Sequence, residues 1–210
     1  MAQVPVAYPA SLTVDYPERT LDRLSTLFRL FLAIPILIIL AGVNGATGGH
    51  EDNGLRYQLA AGGLIFAPIV LMLLFRQKYP RWWFDWNVAL TGFVNRVSAY
   101  MFLLTDQYPS TDEEQSVHIA IDYPNARTEL SRWLPLVKWF LAIPHYVVLV
   151  LLGIGAVVCV TAAWFSILIT GRYPRIFFDY VVGVMRWSLR VAAYAFLLTT
   201  DRYPPFSLSA

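Results

Sequence analysis

The sequence predicts an all-α membrane protein with four transmembrane helices, arranged as two tandem hairpins that are each followed by an amphipathic interfacial helix. Composition is the first observation behind this prediction, because the 210 residues are 57% hydrophobic and only 14% charged, whereas soluble domains average about 25% charged residues. The second is that four apolar stretches approach the roughly 20 residues that a membrane span requires. The third is that much of the first half recurs, in the same order, in the second half.

The predicted spans are residues 27–43, 59–75, 133–152 and 154–170. The last two belong to one apolar run that is too long for a single span at 1.5 Å per residue, so Gly153 and Gly155 mark the predicted turn between them. Pro35, Pro68 and Pro144 lie inside spans and are predicted to kink them, because proline removes a helical hydrogen bond. Ionisable residues are almost absent from the spans, which argues against a proton-coupled transporter.

The internal repeat divides the chain into a first unit, residues 1–110, and a second unit, residues 111–210. Four pairs of segments match: DYPERT with DYPNAR, FRLFLAIP with VKWFLAIP, KYPRWWFDW with RYPRIFFDY, and RVSAYMFLLT with RVAAYAFLLT. The second pair places Arg29 opposite Lys138, and both are expected to reach the membrane surface from the ends of their spans. The first unit also has an insertion, VNGATGGHEDNGLRYQ, which is predicted to form an exposed loop.

The distribution of basic residues predicts the topology. Cytoplasmic loops of membrane proteins carry an excess of Lys and Arg, and two spans per unit place every basic residue except Arg56 on the side of both termini. If the helices predicted at about 84–105 and 176–200 also spanned, their arginines would enter the hydrocarbon at a cost of at least about 2.5–3.5 kcal/mol each. We therefore expect cytoplasmic termini and interfacial helices. The short alternating segments SLTVD, VHIAID and PFSLSA, each beside a Tyr-Pro, predict a small cytoplasmic sheet.

The two interfacial helices carry the candidate lipid or partner contacts. Asp179, Arg186 and Arg190 fall on one polar stripe of the second helix, at steps of three or four residues, and Asp85 and Arg96 mark the same stripe on the first. A narrow basic stripe on an otherwise apolar helix is typical of a helix that contacts lipid phosphates. The alternative is structural, with these side chains tying the helix to the membrane spans.

No catalytic motif, metal site or cofactor motif is found in the sequence. The three histidines have no metal-ligand spacing, no nucleophile elbow, Walker loop or dinucleotide-binding glycine pattern occurs, and Cys159 is the single cysteine. We therefore predict no enzyme activity, no metal and no cofactor. The net charge of +2 without a Lys/Arg run gives no support to a nucleic-acid partner.

The second unit resembles a known family. The resemblance is carried by LAIPHYVVLVLLG and by AWFSILITGRYPRIFFDYVVGVMRWSLRVAAYAFLLTTDRYPPFSL, and it extends over about 119–208. These motifs are similar to the bacterial integral membrane family named domain of unknown function 4389, with two tandem copies of which the second is closer to the family pattern. The first copy departs from the pattern: LAIPI lacks the histidine, and Gly92 stands where the second copy has Arg186. The resemblance implies a bacterial inner-membrane protein and assigns no activity.

These observations favour a non-enzymatic multi-pass membrane protein. The leading role is a scaffold or accessory subunit of a membrane complex, or a protein that organises lipids, with membrane lipids and a larger complex as partners. The first alternative is a small transporter or channel between the two units, although few polar residues are available to line a path. The second is a lipid-acting enzyme that uses Asp179 and the arginines, for which no second acid/base group is found.

Overall fold

A computed structural model of the chain describes residues 8–43, 69–111, 113 and 115–209. The described part is mostly helical with one small antiparallel pair of strands. The elements are β1 (Ala10–Val14), α1 (Arg23–Val43), a π-helix (Met72–Arg76), α2 (Arg81–Met101), β2 (Val117–Ile121), a 3-10 turn (Leu134–Leu136), α3 (Lys138–Leu141), α4 (Ile143–Thr170) and α5 (Arg175–Ala195).

The prediction of four transmembrane helices is wrong. Within the described ranges, two helical segments are long and apolar enough to cross a membrane, Arg23–Ala41 and Ile143–Thr170. The run that was predicted to hold two spans, 133–152 and 154–170, contains short helical turns followed by the single 28-residue helix α4. Most of the predicted span 59–75, through residue 68, lies outside the described residues.

α4 continues through Gly153 and Gly155 because two glycines are not enough to end a helix at this place. A glycine inside a helix costs only roughly 0.5–1 kcal/mol relative to alanine, and the apolar residues on both sides of Gly153 and Gly155 favour the helix. Gly155 also makes room for a neighbour, since a Cβ there would lie 2.5 Å from the Tyr180 hydroxyl. The helix ends at Gly171, whose φ of 72° and N–H donated to the Ile167 carbonyl form a left-handed cap.

Of the three prolines that were predicted to kink spans, Pro144 has a different place in its helix from the one predicted. Pro144 is the second residue of α4, where the missing N–H is not needed. The helical path is interrupted just before it, at Ala142, which separates α3 from α4. Pro35 lies inside α1, which continues through it, and the predicted kink at Pro68 lies outside the described residues.

β1 and β2 form the predicted strand pair from the segments SLTVD and VHIAID. They pair antiparallel with Leu12 opposite Ile119. Ala10 and Leu12 are buried while Ser11 and Thr13 are exposed, so one face of the sheet packs on the protein and the other is polar. The third segment, which was expected to join the sheet, has no strand over residues 205–209.

α5 lies between α4 and β1 and is not the interfacial helix that was predicted. Its Tyr180 hydroxyl donates to the Leu152 carbonyl of α4, and its Trp187 indole N–H donates to Nδ1 of His145. These pairs show that α5 runs antiparallel to the first half of α4. On another face, α5 packs against β1. Most of α5 is therefore enclosed by protein. The two arginines of its polar stripe donate to backbone carbonyls of the chain itself. In the first unit, α2 similarly contacts α1 and β2.

Candidate functional site

Asp85 and Asp179 occupy matching, exposed positions near the starts of α2 and α5. Each pairs with the arginine four residues earlier: Arg81 Nε lies 3.5 Å from Asp85 Oδ1, and Arg175 Nε lies 3.4 Å from Asp179 Oδ1. Exposed pairs of this kind contribute about 0–1 kcal/mol. Neither carboxylate forms an ion pair with the arginines further along its helix in the part of the chain that the structure describes.

The three predicted arginines point to backbone carbonyls of the protein itself. Arg186 donates to Leu12 of β1 and to Leu208, both at 3.0 Å. Arg190 donates to Ser207 and Ser209. These contacts tie α5 to β1 and to the C-terminal segment, and not to a predicted span.

Arg96 has the corresponding role in the first unit. Its Nη1 donates to the Glu113 carbonyl at 3.0 Å, and its Nη2 donates to the Thr111 carbonyl at 3.1 Å. A role for Asp85, Arg96, Asp179, Arg186 and Arg190 in lipid or partner contacts stays a prediction.

A buried cation cluster lies around Arg29, which is 3% exposed. Its Nη2 pairs with Asp106 Oδ1 at 2.5 Å, and its Nη1 donates to the carbonyls of Thr105 at 2.6 Å and Tyr100 at 3.2 Å. The guanidinium also lies 4.2 Å from the centre of the Tyr100 ring. We call this set the Arg29 cluster. The arginine is expected from the sequence to reach a membrane surface, but it instead connects α1 to the C-terminal end of α2.

A second cluster of the same kind surrounds Lys138, which is fully buried. Its Nζ lies 2.7 Å from Asp201 Oδ1 and 2.6 Å from the Thr200 carbonyl, and it lies 5.2 Å from the Tyr194 ring. Burial lowers the pKa of Lys138 below its usual range, and Asp201 opposes that shift. We call this set the Lys138 cluster.

The two clusters also match in how the carboxylates are held. Asp106 Oδ2 accepts the backbone N–H of Asp22 at 2.7 Å, and Asp201 Oδ2 accepts the backbone N–H of Ser131 at 2.6 Å. Each of these N–H donors lies seven residues before the cation of its cluster. The sequence repeat places Arg29 opposite Lys138, but it does not identify the aspartates as their partners.

Two tyrosines make reciprocal contacts between the units. The Tyr16 hydroxyl donates to the Tyr173 carbonyl, and the Tyr123 hydroxyl donates to the Tyr79 carbonyl, both at 2.5 Å. The guanidinium of Arg175 lies 4.5 Å from the Tyr16 ring, and that of Arg81 lies 4.6 Å from the Tyr123 ring. Each Asp-Tyr-Pro motif therefore binds the Tyr-Pro-Arg motif of the other unit.

The outer faces of α1 and α4 are apolar, and no described residue covers them. Side chains that are at least half exposed on α1 include Leu30, Phe31 and Ile38. On α4 they are Val147, Val150, Leu151, Ile154, Val157, Val158, Phe165 and Ile169. An apolar surface of this extent marks a membrane or protein contact.

The described residues show no arrangement suited to metal chemistry, since no group of three His, Cys, Asp or Glu side chains lies together in them. His145 is fully buried, with Nδ1 accepting from Trp187 and its ring stacked on Phe206 at 4.0 Å. Its surroundings are those of a packed core histidine.

Comparison with known proteins connects one of the two units to a family. No curated protein and no solved structure matches the chain. A family match is found once, in the second unit, and not in two tandem copies, so the resemblance is confirmed for the second unit. Residues 133–207, which contain the Lys138 cluster, α4 and α5, match the family described as Domain of unknown function (DUF4389).

Proposed function

We propose that this protein is a non-enzymatic scaffold or accessory subunit of the bacterial inner membrane, with α1 and α4 lying in the plane of one leaflet. The apolar outer faces of these helices enter the lipid, while the sheet faces the cytoplasm as a platform for partners. The single observation that carries the proposal is that a polar segment, residues 8–23, runs alongside α4 from one end to the other.

The course of this segment is fixed by contacts at both of its ends. The Tyr8 hydroxyl donates to the Arg202 carbonyl at 3.1 Å, next to the Lys138 cluster that precedes α4. At the other end, Arg23 Nη2 donates to the Ile169 carbonyl, in the last turn of α4. Between these points the chain forms β1.

The polar segment argues against α4 crossing the bilayer along its own axis. A crossing α4 would carry Ser11, Thr13 and Asp15, all exposed, through the hydrocarbon together with a sheet that has only two strands among the described residues. Exposed strand edges do not occur in hydrocarbon, where no water is present to satisfy their backbone groups. The partner strand adds an exposed His118, whose Nε2 lies 3.1 Å from Asp15 Oδ2. These groups favour a position in water.

The in-plane position also accounts for the length and composition of α4. Its 28 residues give a helix of about 42 Å, longer than the ~30 Å hydrocarbon core. Helices that lie on membranes usually have one charged face toward water. α4 does not need such a face, because part of its inner side is covered by α5. Each Leu, Ile, Val or Phe transferred from water contributes on the order of 1.5–3 kcal/mol, so the exposed side chains of α1 and α4 supply strong attachment.

We further propose that the chain consists of two copies of one unit, related by a pseudo-twofold axis normal to the membrane. The matched Arg29 and Lys138 clusters, the reciprocal tyrosine contacts and the antiparallel strand pair support this symmetry. An axis in that direction keeps the polar layers of both units on one side of the membrane. Because cytoplasmic segments carry the excess of Lys and Arg, that side is the cytoplasm.

The scaffold role can be tested with a photoreactive amino acid in cells. We would place it at Thr13 and Ala120 on the exposed face of the sheet, and at Val150 on the apolar face of α4. The proposal expects one protein to crosslink reproducibly from the sheet, and lipid to crosslink from Val150. Lipid adducts at Val150 with no protein adduct at the sheet positions would contradict the scaffold role and favour lipid organisation.

A small transporter or channel is the second candidate, because a groove of about 560 Å³ lies between α2 of the first unit and α4 and α5 of the second. Asn87, Asn95 and Ser98 line it, but each donates to the carbonyl four residues earlier in α2. A transport path between the units predicts that Asn95→Leu abolishes ion or solute flux in proteoliposomes. Proteoliposomes without measurable flux would remove this candidate.

A further inference from the structure

A cavity of about 660 Å³ lies where the π-helix meets the segment after β2. Its lining includes the three cationic side chains Arg76, Lys78 and Arg127, together with Tyr79 and Tyr123. The described lining contains no Asp or Glu. Three like charges around one cavity repel each other, so a bound anion would be stabilised there.

These cations differ from four other Arg and Lys side chains that form ion pairs within the described ranges. Arg29 and Lys138 are buried with carboxylate partners, and Arg81 and Arg175 have exposed ones. Across residues 69–111 and 115–209, by contrast, Arg76, Lys78 and Arg127 form no ion pair with a described carboxylate. All three side chains are exposed and line the cavity, so their charges are available to a ligand there.

The backbone at this cavity is strained at a residue with a side chain. Gln77 has φ 43° and ψ 46°, a left-handed conformation that costs a non-glycine residue roughly 1–2 kcal/mol. The matching place in the second unit is Gly171, which adopts the same conformation at φ 72° without that cost. Gln77 uses its side chain, since Oε1 accepts a hydrogen bond from Arg132 Nη2 at 2.9 Å. Strained residues of this kind and π-helices both concentrate at functional sites.

An apolar cavity of about 670 Å³ adjoins the cationic one. The two share Met72, Lys78, Tyr79 and Tyr123. Ile69, Trp82 and Trp83 provide apolar walls, and Trp82 is 69% exposed. A cationic cavity continuous with an apolar, aromatic one matches an amphiphile with an anionic head and a hydrocarbon tail.

We propose that Arg76, Lys78 and Arg127 bind the phosphate of an anionic phospholipid, with an acyl chain in the apolar cavity beside Trp82 and Trp83. The phosphate is the recognised group, and inorganic phosphate is the other source of the same chemistry. The site deepens the proposed function, because it gives the membrane-bound layer a specific lipid, and it rests on that proposal only for the presence of a membrane.

The second unit supplies a matched control. Arg172 stands at the place of Lys78, but Thr170 stands at the place of Arg76. Arg172 is exposed like Lys78. Substituting Arg172 by glutamine therefore lowers the net charge by the same amount as substituting Lys78, but it leaves the cationic cavity unchanged.

The test uses the full chain in a nonionic detergent, titrated with dioctanoyl phosphatidylglycerol and followed by Trp fluorescence and native mass spectrometry. We expect one lipid per chain. The triple variant Arg76→Gln, Lys78→Gln, Arg127→Gln should bind about tenfold more weakly or worse, because charge-assisted hydrogen bonds are lost. Lys78→Gln alone should also bind more weakly than the parent, whereas Arg172→Gln, which removes the same single charge, should bind as the parent does. Equal binding by the triple variant, or an equal loss in Arg172→Gln, would overturn the site.

Two further ligands distinguish a phospholipid from free phosphate as the occupant of the site. They remain informative if the triple variant does not fold. Dioctanoylglycerol, which lacks the phosphate, should bind far more weakly to the parent protein, and equal binding would overturn the phosphate contact. Inorganic phosphate should compete only at far higher concentration than the lipid. Competition at equal concentration would assign the site to free phosphate and overturn the acyl-chain part. Binding in detergent does not depend on the position of α4 in a bilayer, so this proposal and the proposed function can fail separately.

Discussion

Leu12 and Ile119 face each other at the centre of the two-stranded sheet, and they occupy the same position relative to the two Asp-Tyr-Pro motifs. Each lies three residues before the aspartate of its motif, and the strand pairing makes them direct partners. The local twofold axis of an antiparallel pair relates opposite residues. The pseudo-twofold axis proposed above would pass through this pair, and it would also relate the reciprocal contacts of Tyr16 and Tyr123 and the clusters of Arg29 and Lys138.

The Lys138 cluster should be the more sensitive of the two clusters to loss of its carboxylate. Asp201→Asn leaves a fully buried ammonium without a counter-charge, so we expect it to lower the free energy of unfolding by about 3–5 kcal/mol. Asp106→Asn should cost less, because Asp106 is 30% exposed and Arg29 keeps two carbonyl acceptors. Asp85→Asn is the control, with an expected change within about 1 kcal/mol. Thermal unfolding in detergent measures all three variants. Similar losses of stability in all three would contradict the claim that burial makes the Lys138 ion pair the more important one.

The corresponding tyrosines Tyr79 and Tyr173 should respond differently to removal of their hydroxyls. Tyr79 donates to the Leu197 carbonyl at 2.6 Å, so Tyr79→Phe should cost about 1 kcal/mol. The Tyr173 hydroxyl is buried without a hydrogen-bond partner among the described residues, so Tyr173→Phe should be neutral or stabilising at neutral pH. Chemical denaturation of the two variants provides the comparison, and a larger loss in Tyr173→Phe would contradict the described packing.

The same tyrosines predict a loss of stability in alkaline solution. Burial raises the pKa of Tyr79 and Tyr173 above the value of about 10 that they have when unfolded. Above pH 10 the unfolded state therefore releases protons that the folded state retains, and the free energy of unfolding falls by up to about 1.4 kcal/mol per pH unit for each tyrosine. Below pH 10 the contribution is constant. The double variant Tyr79→Phe, Tyr173→Phe should show a shallower decline between pH 10 and 11 than the parent; identical slopes would disprove the assignment.

Two glycines of α4 should give opposite results on substitution by alanine. A Cβ at Gly153 meets nothing within 4 Å, so Gly153→Ala should stabilise a continuous helix by roughly 0.5–1 kcal/mol. A Cβ at Gly155 would lie 2.5 Å from the Tyr180 hydroxyl, so Gly155→Ala should be destabilising and disturb the bond to Leu152. Melting temperatures of the two variants are the measurement. A destabilised Gly153→Ala would instead support a turn at this position.

The sequence predicted the positions of strands and helices along the chain better than it predicted what each helix packs against. Hydrophobic alternation located β1 and β2, and the polar stripes located α2 and α5. Counting apolar residues failed at α4, because a run long enough for two spans can equally be one long helix with a glycine that fits a neighbouring tyrosine. The stripe on α5 left both lipid or partner contacts and a structural role open, since sequence alone does not show that Leu12 and Leu208 provide the acceptors for Arg186.

The candidate site was only partly visible in the sequence. The repeat placed Arg29 opposite Lys138, but the pairing of each with an aspartate more than 60 residues later depends on tertiary structure. The cationic cavity was missed for a similar reason: Arg76 and Lys78 are close in sequence, whereas Arg127 arrives from the other unit. A signal was nevertheless present, because Gln77 stands where the matching segment has Gly171.

The central claim is that α4 lies in the plane of the membrane, and depth measurements on three of its residues test it most directly. Val147, Val158 and Ile169 are 11 residues apart, so they lie on the same exposed face of the helix. With Cys159 replaced by alanine, a spin label at each position in nanodiscs reports its depth from relative collisions with oxygen and with a water-soluble nickel complex. We predict three similar, shallow depths. A label at Val158 near the bilayer centre, with Val147 and Ile169 near opposite surfaces, would show that α4 crosses the membrane and would contradict the account.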